Sequence, residues 1–153
     1  EKRSGLVPFD LHIHDLDFIV YAFGKPKKFS DRRTKNGLQD YISATYEYDD
    51  FFINAEASWF DSPYPFTADF RFQFEKAVAL WENGVLKIFE QDGNIITPVS
   101  DSGDADNGSI GLPKSNAYAN EIRYFADCVK ADKFPDKVKP EQLEAVLDIL
   151  HEL

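Results

Sequence analysis

The sequence lacks several features that define large classes of proteins. It has one cysteine, Cys128, so no disulfide can form within the chain, which is typical of proteins from a reducing cytoplasm. No apolar run approaches the ~20 residues that a helix needs to span a bilayer. Basic side chains are also few, and the net charge of −10 argues against nucleic acid or an anionic membrane as a partner. We therefore expect a cytoplasmic protein that binds neither.

The chain also has no methionine and begins with Glu1, so it is not a primary translation product as written. No apolar signal segment follows this start. With 153 residues the chain is long enough for one domain with its own hydrophobic core. We expect residues 1–153 to form that single domain and to be the rear part of a longer protein.

The first element that the sequence predicts is a helix. Apolar residues recur at three- and four-residue intervals from Phe9 through Ile13, Leu16 and Val20 to Phe23 and predict a helix at Asp10–Phe23. Gly24 suits the position that directly follows a helix. The next segment, Lys25–Gly37, is basic and polar, and it predicts a connector.

The middle of the chain is rich in aromatic and β-branched residues, which favour strands. Asp40–Tyr48 and Phe51–Phe60 flank the turn Asp49-Asp50 and predict an antiparallel hairpin. The segment Phe70–Glu75 alternates phenylalanine with polar residues, which is the period of a strand with one buried face. Further strands are predicted for 77–81, 85–91 and 95–99. We expect five or six strands in one antiparallel sheet.

Two further helices follow a polar loop at Asp101–Ser115. Pro140 suits the first turn of the last helix. Apolar residues at helical spacing mark both helices: Tyr118, Ile122, Phe125 and Val129 in the first, with Ser115 or Asn116 as its cap, and Leu143, Val146, Leu147 and Leu150 in the second. Because strands and helices occupy separate stretches of the chain, the fold class is α+β, an open and mostly antiparallel sheet with helices packed on one face.

One histidine of the first helix lies between two acids. Steps of four and three residues return to the same side of a helix, so Asp10, His14 and Asp17 form one polar stripe. A carboxylate next to an imidazole fixes which ring nitrogen carries the proton, and such a histidine can take a proton from a substrate hydroxyl while the carbon gives up a hydride. The same spacing also fits a structural role, in which Asp10 caps the helix and the two acids satisfy His14.

A different chemistry follows if this segment is a strand. Asp10-Leu11-His12-Ile13-His14 resembles the D-x-H-x-H motif of metal-dependent amidohydrolases, in which both histidines of a strand face one metal ion. On a helix His12 and His14 would lie roughly 160° apart and could not share a metal. The periodicity after His14 favours the helix, and a chain of 153 residues is shorter than the ~250 residues of the barrel that such hydrolases use.

The order of these features resembles the C-terminal domain of the Gfo/Idh/MocA family of NAD(P)-dependent oxidoreductases, which includes glucose–fructose oxidoreductase and inositol dehydrogenases. The resemblance covers Phe9 to Leu153. It is carried by a D-x-x-x-H-x-x-D helix that runs on to a glycine, by the strands that follow, and by the openings of the two later helices: Asp10, His14, Asp17 and Gly24, then Asn116-Ala117-Tyr118 and Ala126–Val129, then Pro140-Glu141-Gln142.

The resemblance implies roles for the polar stripe. His14 would be the catalytic acid/base, Asp10 would orient it or bind the substrate hydroxyl, and Asp17 would be a supporting carboxylate next to the substrate, a sugar, cyclitol or other polyol. NAD or NADP would be bound mainly by an upstream Rossmann domain, and no G-x-G-x-x-G motif follows a strand here. The chain alone is therefore expected to bind no cofactor and to be inactive. Many relatives have a small residue where this chain has His12, so its role is open.

The resemblance also implies a homo-oligomer, because the open face of the family's sheet makes subunit contacts. Aromatic residues such as Tyr41, Phe51 and Trp59 offer more apolar surface than two or three helices can cover, which agrees with this expectation. The alternative is a stand-alone binding or assembly module of the same fold without the chemistry, which the missing upstream half suggests.

Overall fold

The structure is a computed structural model that describes residues 6–37, 39–98 and 117–153. By their contacts the residues divide into two compact units, one formed by Glu1–Pro63 with Pro135–Leu153 and the other by Tyr64–Phe134. The predicted loop Asp101–Ser115 and the predicted helix cap at 115 or 116 lie outside the described residues. The expectation of a single domain stays a prediction.

The first unit begins with the predicted helix. A π-helical turn, Pro8–His12, leads directly into α1, Ile13–Phe23. Gly24 follows with φ +80°, and its N–H donates to the Val20 carbonyl at 2.9 Å. The predicted helix and its end at Gly24 are confirmed. The apolar periodicity did not predict the π-helical turn at its start.

The buried side of α1 differs slightly from the predicted one. Leu16, Ile19 and Val20 are buried, and so is His12 of the π-helical turn. Phe9, which the apolar spacing assigned to the same side, is 44% exposed. The side chains that face the core therefore follow the series 12, 16, 19 and 20, with a histidine in the first place.

The sheet of the first unit has three antiparallel strands in the order β1-β2-β3, with β1 at Lys28–Asn36, β2 at Gln39–Glu47 and β3 at Phe52–Trp59. The predicted hairpin is confirmed as β2 and β3. The predicted connector is wrong, because most of it forms β1 at one edge of the sheet. Phe29, Asp31 and Arg33 alternate with exposed residues in β1. Because two of these three residues are charged, the sequence shows no alternation of apolar and polar residues here.

The core of the first unit lies between β2 and two helices. Alternate residues of β2, namely Asp40, Ile42, Ala44 and Tyr46, are buried. The last helix, α3, spans Pro140–Glu152 and buries Ala145, Val146, Ile149 and Leu150, as its predicted start at proline and its helical spacing indicated. Each fully buried aliphatic side chain of this kind stabilises the fold by about 1.5–3 kcal/mol.

The second unit contains a separate antiparallel sheet of four strands: β4 at Phe70–Gln73, β5 at Ala77–Glu82, β6 at Val85–Glu90 and β7 at Ile95–Ile96. The four predicted strands are confirmed. A turn with positive φ at Asn83 (51°) and Gly84 (76°) joins β5 to β6, a conformation that suits a tight hairpin. The prediction of one sheet is wrong, since the described strands form two.

The helix of the second unit, α2, spans Ala117–Lys130, as its spacing predicted. Its apolar stripe is exposed by 59–69% at Tyr118, Ile122, Phe125 and Val129. Antiparallel sheets and helices in separate stretches of the chain confirm the α+β class. Among the described residues, no helix combines the length and the apolar character needed to cross a membrane.

Candidate functional site

The polar stripe of α1 lies on the outer side of the helix. His14 and Asp17 are exposed, and Asp10, in the π-helical turn, is partly buried. Residue 14 is two steps from the buried Leu16, which on a helix corresponds to roughly half a turn around the axis. His14 and Asp17 thus share a side of α1 that faces away from the core, and Asp10 lies in the turn that precedes them.

The structure does not join all three of these residues through side-chain contacts. Within the described part of the chain, the side chains of His14 and Asp17 make neither a hydrogen bond nor an ion pair. Their proposed roles in catalysis and substrate binding therefore stay predictions. What the geometry supplies is an accessible imidazole with carboxylates four residues before it and three residues after it.

Exposed aromatic rings belong to the same helical segment as His14. Phe9 is 44% exposed, Phe18 42% and Tyr21 58%, and all three belong to the π-helical turn or to α1. The Phe9 ring also contacts the ring of His151 at the end of α3, with centroids 6.1 Å apart. Aromatic faces beside a few polar groups are the usual composition of a small-molecule site.

The second histidine of the motif has a different environment. His12 is fully buried, and its Nε2 lies 2.6 Å from the Tyr46 hydroxyl, which is fully buried as well. Its Nδ1 lies 3.4 Å from Oδ2 of Asp15. The sequence left the role of His12 open. The available signal was its position four residues before Leu16, which places it on the core side of a helix.

The direction of this hydrogen bond depends on the tautomer of His12, and the neighbouring groups favour donation from the Tyr46 hydroxyl. Burial, together with the nearby carboxylates of Asp15 and Asp31, raises the pKa of Tyr46, so the phenol keeps its proton. The Asp15 carboxylate beside Nδ1 favours the tautomer that carries its proton on that nitrogen, and in this tautomer Nε2 accepts a hydrogen bond from the phenol. The cluster thereby holds His12 in one tautomer.

A second polar contact ties the start of the π-helical turn to β2. The buried carboxylate of Asp40 accepts a hydrogen bond from the backbone N–H of Val7 at 3.0 Å, and from Nε and Nη2 of Arg33 at 2.8 and 2.6 Å. The hydrogen bonds from Arg33 hold the pKa of Asp40 below its usual value, although burial acts in the opposite direction. Both ends of the turn are therefore attached to the covered face of β2.

The metal-site interpretation of the motif is wrong, because the segment is helical. His12 faces the core and His14 is exposed, so the two imidazoles cannot face one metal ion. Across the described ranges no group of three or more His, Cys, Asp or Glu side chains is arranged to hold a metal.

The open face of the first sheet is more polar than the sequence suggested. Ser30, Arg32, Ser43 and Thr45 line a shallow depression on it. Tyr41 also lies on this face and donates a hydrogen bond to Glu56 at 2.9 Å. Trp59, however, is paired with Asp40 and lies on the helix-covered side, and Phe51 precedes β3. Of the three aromatic residues expected there, only Tyr41 lies on the open face.

The comparisons with known proteins add a likeness in fold. No protein-family model matches the chain, and no curated protein matches it. Among solved structures it is similar to one described as "a putative oxidoreductase from Klebsiella pneumoniae", with a TM-score of 0.64 and 13% identity. The match covers 99% of this chain and 47% of that chain, so this chain spans about half the length of that protein. At this identity the likeness concerns the fold alone.

Proposed function

We propose that this chain is the substrate-binding and oligomerisation part of an NAD(P)-dependent oxidoreductase of the Gfo/Idh/MocA type. Its substrate is a CH–OH group of a sugar, cyclitol or other polyol. The observation that carries the proposal is the exposed His14 of α1, with Asp17 three residues after it in the same helix and Asp10 four residues before it in the π-helical turn. The likeness of the fold to a protein described as an oxidoreductase supports it.

In the proposed reaction His14 is the general base that accepts the proton of the substrate hydroxyl. Its neutral imidazole accepts the proton of the substrate hydroxyl while the same carbon loses a hydride, so the alcohol becomes a carbonyl. The nicotinamide cofactor, bound mainly by a dinucleotide-binding domain outside these residues, supplies the acceptor for the hydride. The proton on His14 then passes to water, which restores the neutral ring for the next turnover.

The two acids have separate tasks in this proposal. Asp10 orients the imidazole or accepts a hydrogen bond from a substrate hydroxyl, and Asp17 accepts a hydrogen bond from a second hydroxyl. Because carboxylates are acceptors only, they suit a ligand that carries several O–H donors. The exposed rings of Phe18 and Tyr21 offer apolar faces for the C–H surface of a sugar or cyclitol.

The exposure of this side of α1 indicates what the intact protein must add. Proton transfer next to hydride transfer requires a site from which bulk water is excluded. A cofactor-carrying domain placed over α1 would cover His14 and the rings beside it. This requirement supports the proposal that the chain alone is inactive.

The test is made in the full-length protein that contains this chain, with NAD or NADP and a panel of hexoses, cyclitols and linear polyols. We expect His14→Ala to slow turnover about 10²–10⁴-fold, the usual contribution of general acid–base catalysis. His151→Ala is the matched control, since it removes another exposed imidazole from a helix of the same unit. Full turnover in His14→Ala, or an equal loss in both variants, would contradict the assignment. Binding of a polyol without any turnover would instead favour a non-catalytic module.

Self-association through the open face of the first sheet is also part of the proposal. Arg32 and Glu56 carry opposite charges on this face, so two copies related by a twofold axis can pair them reciprocally. We expect sedimentation to report a dimer or larger assembly for the wild type and a shift towards monomer for Arg32→Glu. A wild-type monomer at all concentrations would contradict this part.

A further inference from the structure

We propose that His12 is a positioning residue of the proposed site: through its hydrogen bond to Tyr46 it holds the π-helical turn that carries Asp10, and so sets the place of Asp10 relative to His14. This inference rests on the proposed function of Asp10 and His14. It assigns a role to a buried imidazole that does not itself touch the substrate.

The hydrogen bond between His12 and Tyr46 is isolated from water. Both side chains are fully buried, their rings are nearly parallel at 15°, and the donor and acceptor are 2.6 Å apart. If either partner is lost, the other is left with a buried polar atom that water cannot reach. Breaking the hydrogen bond between His12 and Tyr46 is therefore unfavourable, and this cost opposes movement of the π-helical turn.

The turn that this bond holds has a conformation that needs support. A π-helical turn closes over five residues instead of four and is rare, and it occurs frequently at functional sites. Here the turn is held at one end by the Val7 N–H bond to Asp40 and at the other by the bond between His12 and Tyr46. Asp40 and Tyr46 belong to the same buried face of β2.

Asp10 and His14 depend on these attachments to different degrees. His14 belongs to α1, which the core holds independently through Leu16, Ile19 and Val20. Asp10 lies between the two attachments of the turn. If His12 loses its partner, the turn can tighten towards ordinary helical geometry, which rotates Asp10 and Phe9 about the axis while His14 keeps its place.

Asp15 supports this arrangement from the exposed end of the cluster. Its carboxylate lies 3.4 Å from Nδ1 of His12, and its side chain is 45% exposed. A carboxylate in that place favours the tautomer with the proton on Nδ1. In this tautomer Nε2 can accept a hydrogen bond from the Tyr46 hydroxyl. Nδ1 makes no hydrogen bond within the described residues, so Asp15 acts on the tautomer through its charge, and the bond to Tyr46 holds the ring.

The chain contains its own reporters for this test. It has three histidines, so an NMR spectrum shows three sets of imidazole signals. The ring of Phe9, in the π-helical turn, lies 6.1 Å from the ring of His151, so a movement of the turn changes the ring-current shift at His151. His14 reports on Asp10 in the same spectrum.

The experiment compares four variants of the 153-residue chain. Tyr46→Phe removes only the hydroxyl, His12→Leu removes the acceptor, and His12→Gln retains a side-chain acceptor. Val20→Ala is the control, because it opens the same core at the other end of α1. We expect Tyr46→Phe and His12→Leu to move the His14 and His151 signals, His12→Gln to restore them towards wild type, and Val20→Ala to leave them in place.

Kinetics in the full-length protein complete the test. We expect Tyr46→Phe to lower kcat by about 10- to 100-fold with a smaller change in KM, because a displacement of about 1 Å in a catalytic arrangement has effects of this size. Unchanged His14 and His151 signals, or equal changes in Val20→Ala, would overturn the role of His12 while leaving that of His14 intact. Moved signals in a protein whose His14→Ala variant retains turnover would instead overturn the proposed function, and the assignment of His12 to its site with it.

Discussion

The two compact units use their apolar residues in different ways. In the first unit Leu16, Ile42 and Tyr46 are 0% exposed, because α1 and α3 cover one face of the sheet. In the second unit none of the residues described within 64–98 and 117–134 is buried, although this unit has the most regular alternation of apolar and polar residues. Alternation is enough to form a strand, but a core also requires a layer that covers the strand.

The second unit compensates in part through contacts between neighbouring rings. The ring centroids of Phe70 and Phe72 are 5.0 Å apart. The Phe70 ring is also stacked on that of Trp81 across the β4–β5 pair, with centroids 6.2 Å apart. Aromatic pairs of this kind contribute about 0.5–1.5 kcal/mol beyond the area that they bury. We infer that most of the unfolding free energy comes from the first unit, and the following predictions test that inference.

The largest expected effect is that of Leu16→Ala in the first unit. Loss of a fully buried leucine should lower the free energy of unfolding by about 3–5 kcal/mol, because it removes apolar burial and leaves a cavity. Ile122→Ala in α2 is the control, where the side chain is 69% exposed and the change should stay within about 0.5 kcal/mol. Urea unfolding, followed by Trp59 in one unit and Trp81 in the other, measures both. Equal losses would contradict the difference between the units.

A smaller effect, dependent on pH, is expected for Asp40→Asn. At neutral pH this change should lower the free energy of unfolding by about 3 kcal/mol, because Arg33 loses its charged partner. The pKa of Asp40 is lowered in the folded state, so its contribution is fully present above the unfolded value of about 3.9. That contribution is lost as the pH falls through the lower folded value.

The measurement for Asp40→Asn is the unfolding free energy of wild type and variant across this acidic range. Their difference should be constant above about pH 5 and shrink below about pH 4. Asp127→Asn is the control, since its exposed carboxylate only pairs with Lys130 at 3.6 Å. A difference that persists undiminished at low pH would show that the Asp40 carboxylate is not the source of the effect.

The smallest effect is expected for Lys25→Gln. Its ammonium pairs with Asp148 at 3.2 Å, but the two side chains are 55% and 64% exposed. An ion pair in water contributes about 0–1 kcal/mol, so the variant should unfold almost as the wild type does, with any difference reduced by salt. A loss comparable to that of Asp40→Asn would mean that exposed charge, and not burial, stabilises the first unit.

The elements with local periodicity could be predicted from the sequence. The spacing of apolar residues alone predicted α1, α2, α3 and the hairpin of β2 and β3, because the periodicity of a helix or strand can be read from neighbouring residues in the sequence. Strand β1 could not be found in this way. Its partly buried series includes Arg33, whose charge is paired with the carboxylate of Asp40 in the neighbouring strand, and that partner is known only once the strands are paired.

The candidate site, like the fold, could be predicted only where local spacing determines it. Helical geometry predicted one side for His14 and its two acids; the structure has His14 and Asp17 in α1, whereas Asp10 lies in the π-helical turn, where α-helical spacing does not apply. The π-helical turn had no local signature, because its attachments come from Asp40 and Tyr46, more than 30 residues further along the chain. Contacts of this kind depend on which strand lies beneath the helix, which spacing alone does not determine.

The composition of β1 has a consequence for how far the first sheet can extend. An edge strand carries unpaired backbone groups to which another chain could add, and such addition leads to filaments. Strand β1 carries four basic residues, Lys28, Arg32, Arg33 and Lys35. A second β1 arriving antiparallel at a strand spacing of about 5 Å would bring two sets of cations together. Their repulsion opposes pairing of one β1 with another, and since salt screens it, concentrated salt is the condition under which such pairing is least opposed.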